Sequence, residues 1–314
     1  MDGNRTISKV EQQARVILGD VRHVVLGFSG GADSTALLRL LLRCGVAVEA
    51  VHCNFHLRGL ESDRDMEFCR QLCHNLGLPL DVVHFDVPAY QAEHNVGTEV
   101  ACRELRYDYF CGKMSSTGAE RIAVAHHADD NIETLLLNLF RGAGVAGLKG
   151  MLPDANGIIR PLLTTSRREI AEYLEELGQD YIVDSTNLDS DYRRNFIRNE
   201  LLPAIESRWT GVRKTLVNTI ANLQADNEAL EAYGAKVSAS LPDADTLPYR
   251  TLRESGSCEW ILHRWLAGHG AKANVAREIG AMMRRGRPAN GKKWITHSGT
   301  ITASRTALHF SATE

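Results

Sequence analysis

Short apolar runs alternate with amphipathic stretches over roughly the first 190 residues of the chain. Apolar runs bounded by turn residues indicate buried strands, and apolar positions at helical spacing indicate helices. Strands are predicted at Val21–Phe28, Val46–Cys53, Leu80–Phe85 and Arg121–Ala125. Helices are predicted at Ser34–Cys44, Ser62–Leu76, Thr98–Met114, Asp129–Phe140 and Arg167–Leu177. This alternation predicts an α/β fold in which helices cover both faces of a parallel sheet.

The alternation stops near Arg198, and helical patterns dominate the rest of the chain. They predict helices at Leu201–Arg208, Val212–Ala232, Thr251–Leu266 and Val275–Met283. Two alternating runs follow, Lys293–Thr296 and Thr300–Phe310, with Ser298-Gly299 between them as a hairpin turn. The pattern therefore predicts two domains: residues 1–200 with the parallel sheet, and residues 201–314 as a smaller, mainly helical region with a terminal hairpin.

Composition narrows the class of protein. The 314 residues carry a net charge of -3 and include 44% apolar side chains, which excludes a mainly disordered chain and a uniformly basic nucleic-acid coat. The chain lacks both a run of roughly 18 apolar residues and the order of a secretory signal, so we expect a cytoplasmic protein without membrane contact. Seven cysteines without a CxxC pair predict reduced structural thiols and no zinc or iron-sulfur cluster.

The strongest local motif follows the first predicted strand and opens the first helix. It reads Ser29-Gly30-Gly31-Ala32-Asp33-Ser34. Paired glycines let the backbone approach a ligand closely, and the free N–H groups of the following helix favour a phosphate. Asp33 would repel a bare phosphate, but a carboxylate beside phosphate oxygens suits Mg²⁺. The alternative is an ordinary glycine turn with a surface aspartate.

A second polar cluster lies where the fourth strand passes into a helix, with His126, His127, Asp129, Asp130 and Glu133. Open α/β sheets bind ligands at this carboxyl edge. Asp130 and Glu133 share a helix face, which suits a metal or a cationic amine. Acids at a helix N-terminus also stabilise the helix dipole, so both interpretations stay open. The adjacent histidines point to opposite faces and are not expected to bind one zinc ion together.

Basic residues are concentrated in three places. The first is Arg141, which is followed by Gly142 directly after the helix of the second cluster. These two residues are either a loop that contacts phosphate or ribose or a plain helix stop. Residues 193–214 contain six basic and two acidic residues, and residues 284–293 contain five basic residues and no acid. Such islands provide the salt-sensitive contact expected of a protein that positions RNA, although solvated helix faces look similar.

The loop at 29–34 resembles the pyrophosphate loop, or PP-loop, of the N-type ATP pyrophosphatases, which cleave ATP between its α and β phosphates. Five further blocks follow, at Ala50–Asp65, Arg103–Tyr107, Ala123–Met151, Ile159–Leu163 and Asp184–Pro203. In this order the six blocks resemble the tRNA(Ile)-lysidine synthetase family over about residues 20–205. The resemblance implies a Rossmann-like PP-loop domain and a ligase. The ligase adenylates C2 of the wobble cytidine in a CAU-anticodon tRNA(Ile), then transfers lysine to it, forming lysidine and releasing AMP and pyrophosphate.

The same resemblance implies the site residues. Those for ATP and its Mg²⁺ are the loop Ser29–Ser34, with Asp33 at the metal, and His52, Arg106, His126, Arg141 and Gly142. Lysine would be bound by Asp130 and Glu133, which with Asp33 are the expected catalytic residues. Arg160, Arg194 and Arg198 would face the tRNA.

One departure from the family pattern occurs in the second block. Phe55 stands where a histidine is usual, and His56 where a glycine is usual, so no role is assigned to these positions. Two other hypotheses are retained: a PP-loop tRNA-modifying enzyme with another substrate, and a non-catalytic nucleotide- or RNA-binding module. The sequence leaves the oligomeric state open.

Overall fold

Two β-sheets organise the chain, one in each of two units, Met1–Gln224 and Ala225–Glu314. The computed structural model describes residues 5–183, 192–286 and 288–313. The first part of the predicted block Asp184–Pro203 therefore lies outside the described residues. The assignment of functional domains to residues 1–200 and 201–314 stays a prediction.

The sheet of the first unit is mainly parallel, as predicted. Its strands are β1 (His23–Gly27), β2 (Ala47–Asn54), β3 (Leu80–His84), β4 (Arg121–Ala123), β5 (Asp154–Ala155) and β6 (Ile158–Ile159). They are arranged in the order β3-β2-β1-β4-β6-β5, and only the β5–β6 pair is antiparallel. At the centre, Leu26 of β1 is in register with Ala50 of β2 and with Ala123 of β4. The chain order therefore reverses between β1 and β4, the point at which open α/β sheets bind ligands.

Helices cover both faces of this sheet. They are α1 (Arg5–Leu18), α2 (Ala32–Arg43), α3 (Leu60–Asn75), α4 (Val87–His94), α5 (Thr98–Thr117), α6 (Ala128–Phe140), α7 (Val145–Leu148) and α8 (Arg167–Glu176). One face packs α1, α2, α3 and α8 against Val24 and Leu26, while Phe110 of α5 packs on the opposite face against Val25 and Val51. The central strand is thus buried on both sides, which explains its continuous apolar run.

A distorted helical segment begins at Tyr192. It consists of α9 (Tyr192–Phe196), a π-helical turn at Ile197–Leu201 and α10 (Leu202–Glu206). Ile197 and Leu202 are buried against Ile132 and Leu136 of α6. Pro203 lies in the first turn of α10, where its missing N–H is tolerated. The predicted helix Leu201–Arg208 is therefore the end of a longer segment that packs on α6.

The second unit combines helices with a four-stranded antiparallel sheet. Its elements are the end of α11 (Val212–Ala239), then β7 (Thr246–Pro248), α12 (Tyr249–Glu254), α13 (Cys258–Gly268), α14 (Ala273–Arg284), β8 (Lys293–Ile295), β9 (Gly299–Ala303) and β10 (Ala307–Ala312). The sheet order is β7-β10-β9-β8. Its core contains Leu247, Trp265, Ile279, Ile301 and Leu308. In the described part of the chain, no helix is both long and apolar enough to cross a membrane.

Two predicted elements of this unit are divided in the structure. The helix expected at Thr251–Leu266 is interrupted at Gly256, which has a φ of 64° that ends the helical path. The strand expected at Thr300–Phe310 is split by a turn in which Ser304 Oγ accepts the N–H of Ala307 at 3.0 Å. Serine hydroxyls stabilise such turns locally, so a pattern of alternating residues alone does not reveal them.

Replacing Gly30 with alanine should destabilise the protein more than replacing Gly45. Both glycines have positive φ, 82° and 78°, where an L residue costs about 1–2 kcal/mol. A Cβ atom on Gly30 would lie 2.5 Å from Ile182 Cδ1, whereas one on Gly45 would meet nothing within 4 Å. Because overpacking costs roughly 1–3 kcal/mol, Gly30→Ala should lose at least about 1 kcal/mol more unfolding free energy than Gly45→Ala in urea denaturation. Equal losses would contradict the close packing at Gly30.

Candidate active site

The glycine loop after β1 leaves the N-terminus of α2 uncapped by any side chain. Gly31 is the N-cap residue of α2, and no side chain caps the helix there. The first N–H groups of a helix have no partner within the helix, so those of α2 are available to a phosphate. Ser34 Oγ donates to the Gly31 carbonyl at 3.1 Å and lies 3.0 Å from Ser29 Oγ, which fixes both hydroxyl groups beside this helix end.

Asp33 places a carboxylate at the same helix end. Its Oδ1 is buried without a hydrogen-bond partner, and desolvation raises the pKa of this carboxyl group above its ordinary value. An unpartnered carboxylate oxygen beside a phosphate site fits Mg²⁺, which takes one or two carboxylates together with phosphate oxygens. In the residues that the structure describes, no three His, Cys, Asp or Glu side chains converge to hold a metal by themselves.

His127 links the glycine loop to the second polar cluster. The residue is the N-cap of α6: its Nδ1 accepts the N–H of Asp130 at 3.3 Å, and its own N–H donates to Asp130 Oδ2 at 3.1 Å. In the neutral ring, an accepting Nδ1 leaves the proton on Nε2. That atom lies 3.6 Å from both Asp33 Oδ2 and Asp130 Oδ2. His127 thus caps α6 together with Asp130 and also lies close to the Asp33 carboxylate, across the β1–β4 boundary.

A cavity of about 430 Å³ opens between these loops. The glycine loop, with Asp33, forms one side, and Asp130 and His126 form another. Apolar and aromatic residues complete the wall, among them Val51, Cys53, Phe55, Tyr107 and Phe110, and the arginines Arg103 and Arg106 line the remainder. The cavity therefore joins the uncapped start of α2, an apolar wall and cationic side chains in one space, which suits a nucleotide.

His126 and His127 face different environments, as their alternation in an extended segment predicts. His126 lines the cavity, where its Nδ1 is buried without a hydrogen-bond partner. Burial lowers the pKa of His126 to about 4, with the nearby Arg160 and Arg194 acting in the same direction. The ring is therefore neutral at pH 7 and presents an uncharged polar group to the cavity.

Glu133 lies deep beside the cavity and is surrounded by arginines. It is 1% exposed. Arg198 donates from Nε to Oε1 at 2.6 Å and from Nη2 to Oε2 at 3.0 Å, and the same Nη2 donates to Asp130 Oδ1 at 3.1 Å. Arg194 Nε lies 3.2 Å from Glu133 Oε2, which is an ion-pair distance without hydrogen-bond geometry. Burial raises the pKa of Glu133, and the contact with Arg198 opposes this shift.

Both carboxylate oxygens of Asp129 have hydrogen-bond partners within the protein. Its Oδ2 accepts the backbone N–H of Arg167 at 2.8 Å, and its Oδ1 pairs with Arg213, which also contacts Glu206 at 2.9 Å. These contacts connect the start of α6 with the starts of α8 and α11. Asp129 therefore positions the helix that carries Asp130 and Glu133.

The other predicted site residues lie outside the cavity wall. His52 is buried on the opposite face of β2, and its Nδ1 lies 3.0 Å from the carbonyl of Phe28, just before the glycine loop. Arg160 is buried and donates to the carbonyls of Leu152 and Ile158 at 3.0 and 3.4 Å. Arg141 and Gly142 are exposed at the end of α6. The binding roles of these four residues stay predictions.

Arg103 and Phe55 are cavity residues to which the sequence analysis assigned no role. Arg106 lies over the ring of Phe55 at 5.3 Å, and Arg103 lies over the ring of Tyr107 at 4.8 Å. Arg103 and Arg106 are three residues apart on α5, so they share a helix face. Arg106 is a predicted ATP-binding residue, so its three-residue spacing from Arg103 is the sequence signal that indicates Arg103 as a second cavity residue.

Together, the doubly covered parallel sheet, the glycine loop at a helix N-terminus and the adjoining cavity define a nucleotide-binding α/β protein. A model of the PP-loop domain family matches residues 4–205. The chain belongs to this PP-loop domain family, as the sequence resemblance indicated.

The chain is also similar to curated proteins that carry a more specific name. It is 46% identical over 219 residues to a tRNA(Ile)-lysidine synthase of Bacteroides thetaiotaomicron, an alignment that covers 70% of this chain and 51% of that protein. It is 41% identical over 270 residues to the tRNA(Ile)-lysidine synthase of Parabacteroides distasonis, covering 85% of this chain and 61% of that protein. The chain thus spans about half to three fifths of the length of these relatives.

A solved structure supports the fold. The U34-tRNA thiolase NcsA from Methanococcus maripaludis, solved with its [4Fe-4S] cluster, superposes with a TM-score of 0.58 at 18% identity. The match covers 70% of this chain and 80% of the thiolase. At this level of identity the similarity concerns the arrangement of strands and helices.

We predict that Asp33→Asn stabilises the protein at pH 7. The native pKa of Asp33 lies above its ordinary value of 3.8, so the native carboxyl group binds a proton before the unfolded one as the pH falls. The ionised group therefore lowers the free energy of unfolding above its native pKa, and this penalty disappears below pH 3.8. Urea unfolding at pH 7 should show higher stability for Asp33→Asn than for the wild type.

The neighbouring Asp129→Asn is the matched control and should have the opposite effect. It weakens the ion pair with Arg213, and breaking a buried charged hydrogen bond costs about 1–3 kcal/mol. Loss of stability in both variants would contradict the desolvated state of Asp33.

Proposed function

We propose that this protein is an ATP-dependent ligase that attaches lysine to C2 of the wobble cytidine of CAU-anticodon tRNA(Ile). The observation that carries the proposal is the 46% identity to a lysidine synthase across 219 residues. Every cavity-lining residue lies within the region of the PP-loop match. In this reaction the cytidine oxygen attacks the α-phosphate of ATP and pyrophosphate leaves. The lysine ε-amine then attacks C2, and AMP leaves with the oxygen.

The cavity supports the first step. The free N–H groups at the start of α2, with Ser29 and Ser34, would bind the departing pyrophosphate, and the apolar wall near Phe55 would take the adenosine. Asp33 would hold Mg²⁺, which when bound neutralises phosphate charge. His127 Nε2 lies 3.6 Å from Asp33 Oδ2, next to the carboxylate that is proposed to hold the metal. Arg103 and Arg106 line the same cavity and would supply fixed positive charge to the bound nucleotide.

The acidic pair on α6 supports the second step. Asp130 lines the cavity and Glu133 lies one helical turn further along the same face. Two carboxylates bind an ammonium group through charge-assisted hydrogen bonds and would hold free lysine next to the adenylated base. Arg160, Arg194 and Arg198 are proposed to face the tRNA. The proposed location of the protein is the cytoplasm, where tRNA is modified.

Lysine incorporation tests the proposal directly. With ATP and Mg²⁺, radiolabelled lysine should enter an unmodified CAU-anticodon tRNA(Ile) transcript and should not enter a methionine tRNA with the same anticodon. Cleavage of ATP to AMP without any labelled RNA would contradict lysidine synthesis and would favour another PP-loop substrate. Tight ATP binding without pyrophosphate release, with lysine and tRNA present, would favour a non-catalytic module.

Substitutions in the two carboxylate sites should affect different steps. Asp33→Asn should lower the rate of pyrophosphate release at least about 100-fold, because the metal site loses its charge, while tRNA affinity stays nearly unchanged. Glu133→Gln should mainly raise the lysine concentration required for half-maximal rate. The matched control is Glu172→Gln, a partly exposed acid on α8, which should behave as the wild type. A Glu133→Gln enzyme that fails to release pyrophosphate at saturating lysine would move Glu133 to the ATP site.

A further inference from the structure

One of the four tryptophans of the chain lies on the surface. Trp209 is 69% exposed, whereas Trp265 and Trp294 are buried and Trp260 is half-buried. Tryptophan is enriched in contact surfaces because its large ring gains much from being covered by a partner. Trp209 is therefore a candidate contact residue, and its surroundings indicate the kind of partner.

Trp209 lies on a short loop, residues 207–211, between α10 and α11. The N–H of Trp209 donates to the carbonyl of Ile205 at 2.9 Å, and its own carbonyl accepts the first N–H of α11 at 3.2 Å. Arg213 Nε donates to Glu206 Oε2 at 2.9 Å and so joins the two helices on either side of the loop. Because the backbone is already held in place, a ligand that stacks on the ring does not have to order the loop first.

The contacts of Arg213 also connect this loop with the start of α6. Arg213 pairs with Asp129, whose other oxygen accepts the backbone N–H of Arg167 at 2.8 Å. The starts of α6, α8 and α11 therefore meet next to Asp130, which lines the cavity. Desolvation raises the pKa of Asp33, and the charge of Arg167 is among those that oppose this rise, so Arg167 also lies near the cavity.

The basic residues of the island at 193–214 differ in whether the protein itself balances their charge. Arg194, Arg198 and Arg213 are paired with carboxylates. Arg208 and Lys214, on either side of Trp209 in the chain, are exposed and have no carboxylate of the described residues at ion-pair distance. Each nucleotide of a single-stranded RNA offers both a phosphate charge and the flat face of a base. Two available cations beside an exposed aromatic ring match that chemistry.

We propose that Trp209 stacks on an unpaired base of the tRNA anticodon loop, other than the wobble cytidine, while Arg208 and Lys214 bind neighbouring phosphates. The inference rests on the proposed function, in which the wobble base enters the cavity and the rest of the loop stays outside. Trp209 would hold the loop at the surface in a fixed register. It would thus determine how tightly the RNA binds and would take no part in bond formation.

Binding of the CAU-anticodon tRNA(Ile) transcript tests the stacking contact. Trp209→Ala should raise the Kd on the order of tenfold, with the same dependence of log Kd on log salt, because the ring carries no charge. Trp209→Phe keeps an aromatic ring and should recover most of the affinity. The matched control is Val16→Ala, at an 80% exposed apolar residue of α1, which should bind as the wild type does. An unchanged Kd for Trp209→Ala would overturn the proposal.

Transcripts in which one unpaired nucleotide of the anticodon loop at a time is made abasic identify the base. The wild type should lose affinity when one position other than the wobble cytidine is abasic. Trp209→Ala should show no further loss with that transcript, because both changes remove the same contact. If every abasic position weakened Trp209→Ala as much as it weakens the wild type, the ring would contact no base and the proposal would be wrong.

The two flanking cations have a separate signature. Arg208→Gln and Lys214→Gln should each weaken binding and reduce the slope of log Kd against log salt by about 1. Arg22→Gln, which removes a 65% exposed arginine just before β1, at the opposite edge of the sheet, should leave the slope unchanged. Slopes equal to that of the wild type in both flanking variants would contradict the phosphate contacts.

Kinetics separate this inference from the proposed function. At saturating tRNA, pyrophosphate release by Trp209→Ala should stay within about twofold of the wild-type rate, while the half-saturating tRNA concentration rises with the Kd. A large loss of rate at saturating tRNA would contradict a role limited to binding. Lysine incorporation by the wild type with no effect of Trp209→Ala refutes this inference alone. A wild-type protein that neither binds the transcript nor incorporates lysine refutes the proposed function as well.

Discussion

The position of β1 between β2 and β4 is the constraint on which the site depends. Because both neighbours pair with β1 in parallel, the segments after all three strands emerge at the same edge of the sheet. The glycine loop after β1 and the acidic turn after β4 are about a hundred residues apart in sequence, yet His127 touches the carboxylates of both. The strand order therefore brings the glycine loop and the acidic turn into one cavity.

Asp33 in the cavity and Glu133 beside it differ in how their negative charge is balanced. Asp33 is left with a buried, unpartnered oxygen on the phosphate side, and desolvation raises its pKa. Glu133 is more deeply buried, but Arg198 binds it through two hydrogen bonds. The first carboxylate is thus available to a cation that arrives with a nucleotide. The second is already paired with a cation of the protein itself.

The sequence predicted the parallel sheet, the loop at 29–34 and the acidic face of α6 because each is encoded within a few neighbouring residues. Two local signals were overlooked. Helix α1 buries Ile7, Val10, Ala14 and Leu18 at helical spacing, and Asn156-Gly157, both with positive φ, forms the tight turn between β5 and β6. The contacts of Glu133 with Arg198 and of Asp129 with Arg213 join residues 65 and 84 positions apart. No local pattern encodes such pairs, so the tRNA-facing role predicted for Arg198 could not include its carboxylate partners.

The central claim is that adenylation of the tRNA precedes lysine transfer in one cavity. Its most direct test is pyrophosphate release in the absence of lysine. With ATP, Mg²⁺ and the tRNA(Ile) transcript, pyrophosphate should appear in proportion to the tRNA, and mass spectrometry should find the AMP group on the RNA. Addition of lysine should then discharge AMP. Pyrophosphate release that requires lysine, or an AMP group found on lysine instead of the tRNA, would contradict this account.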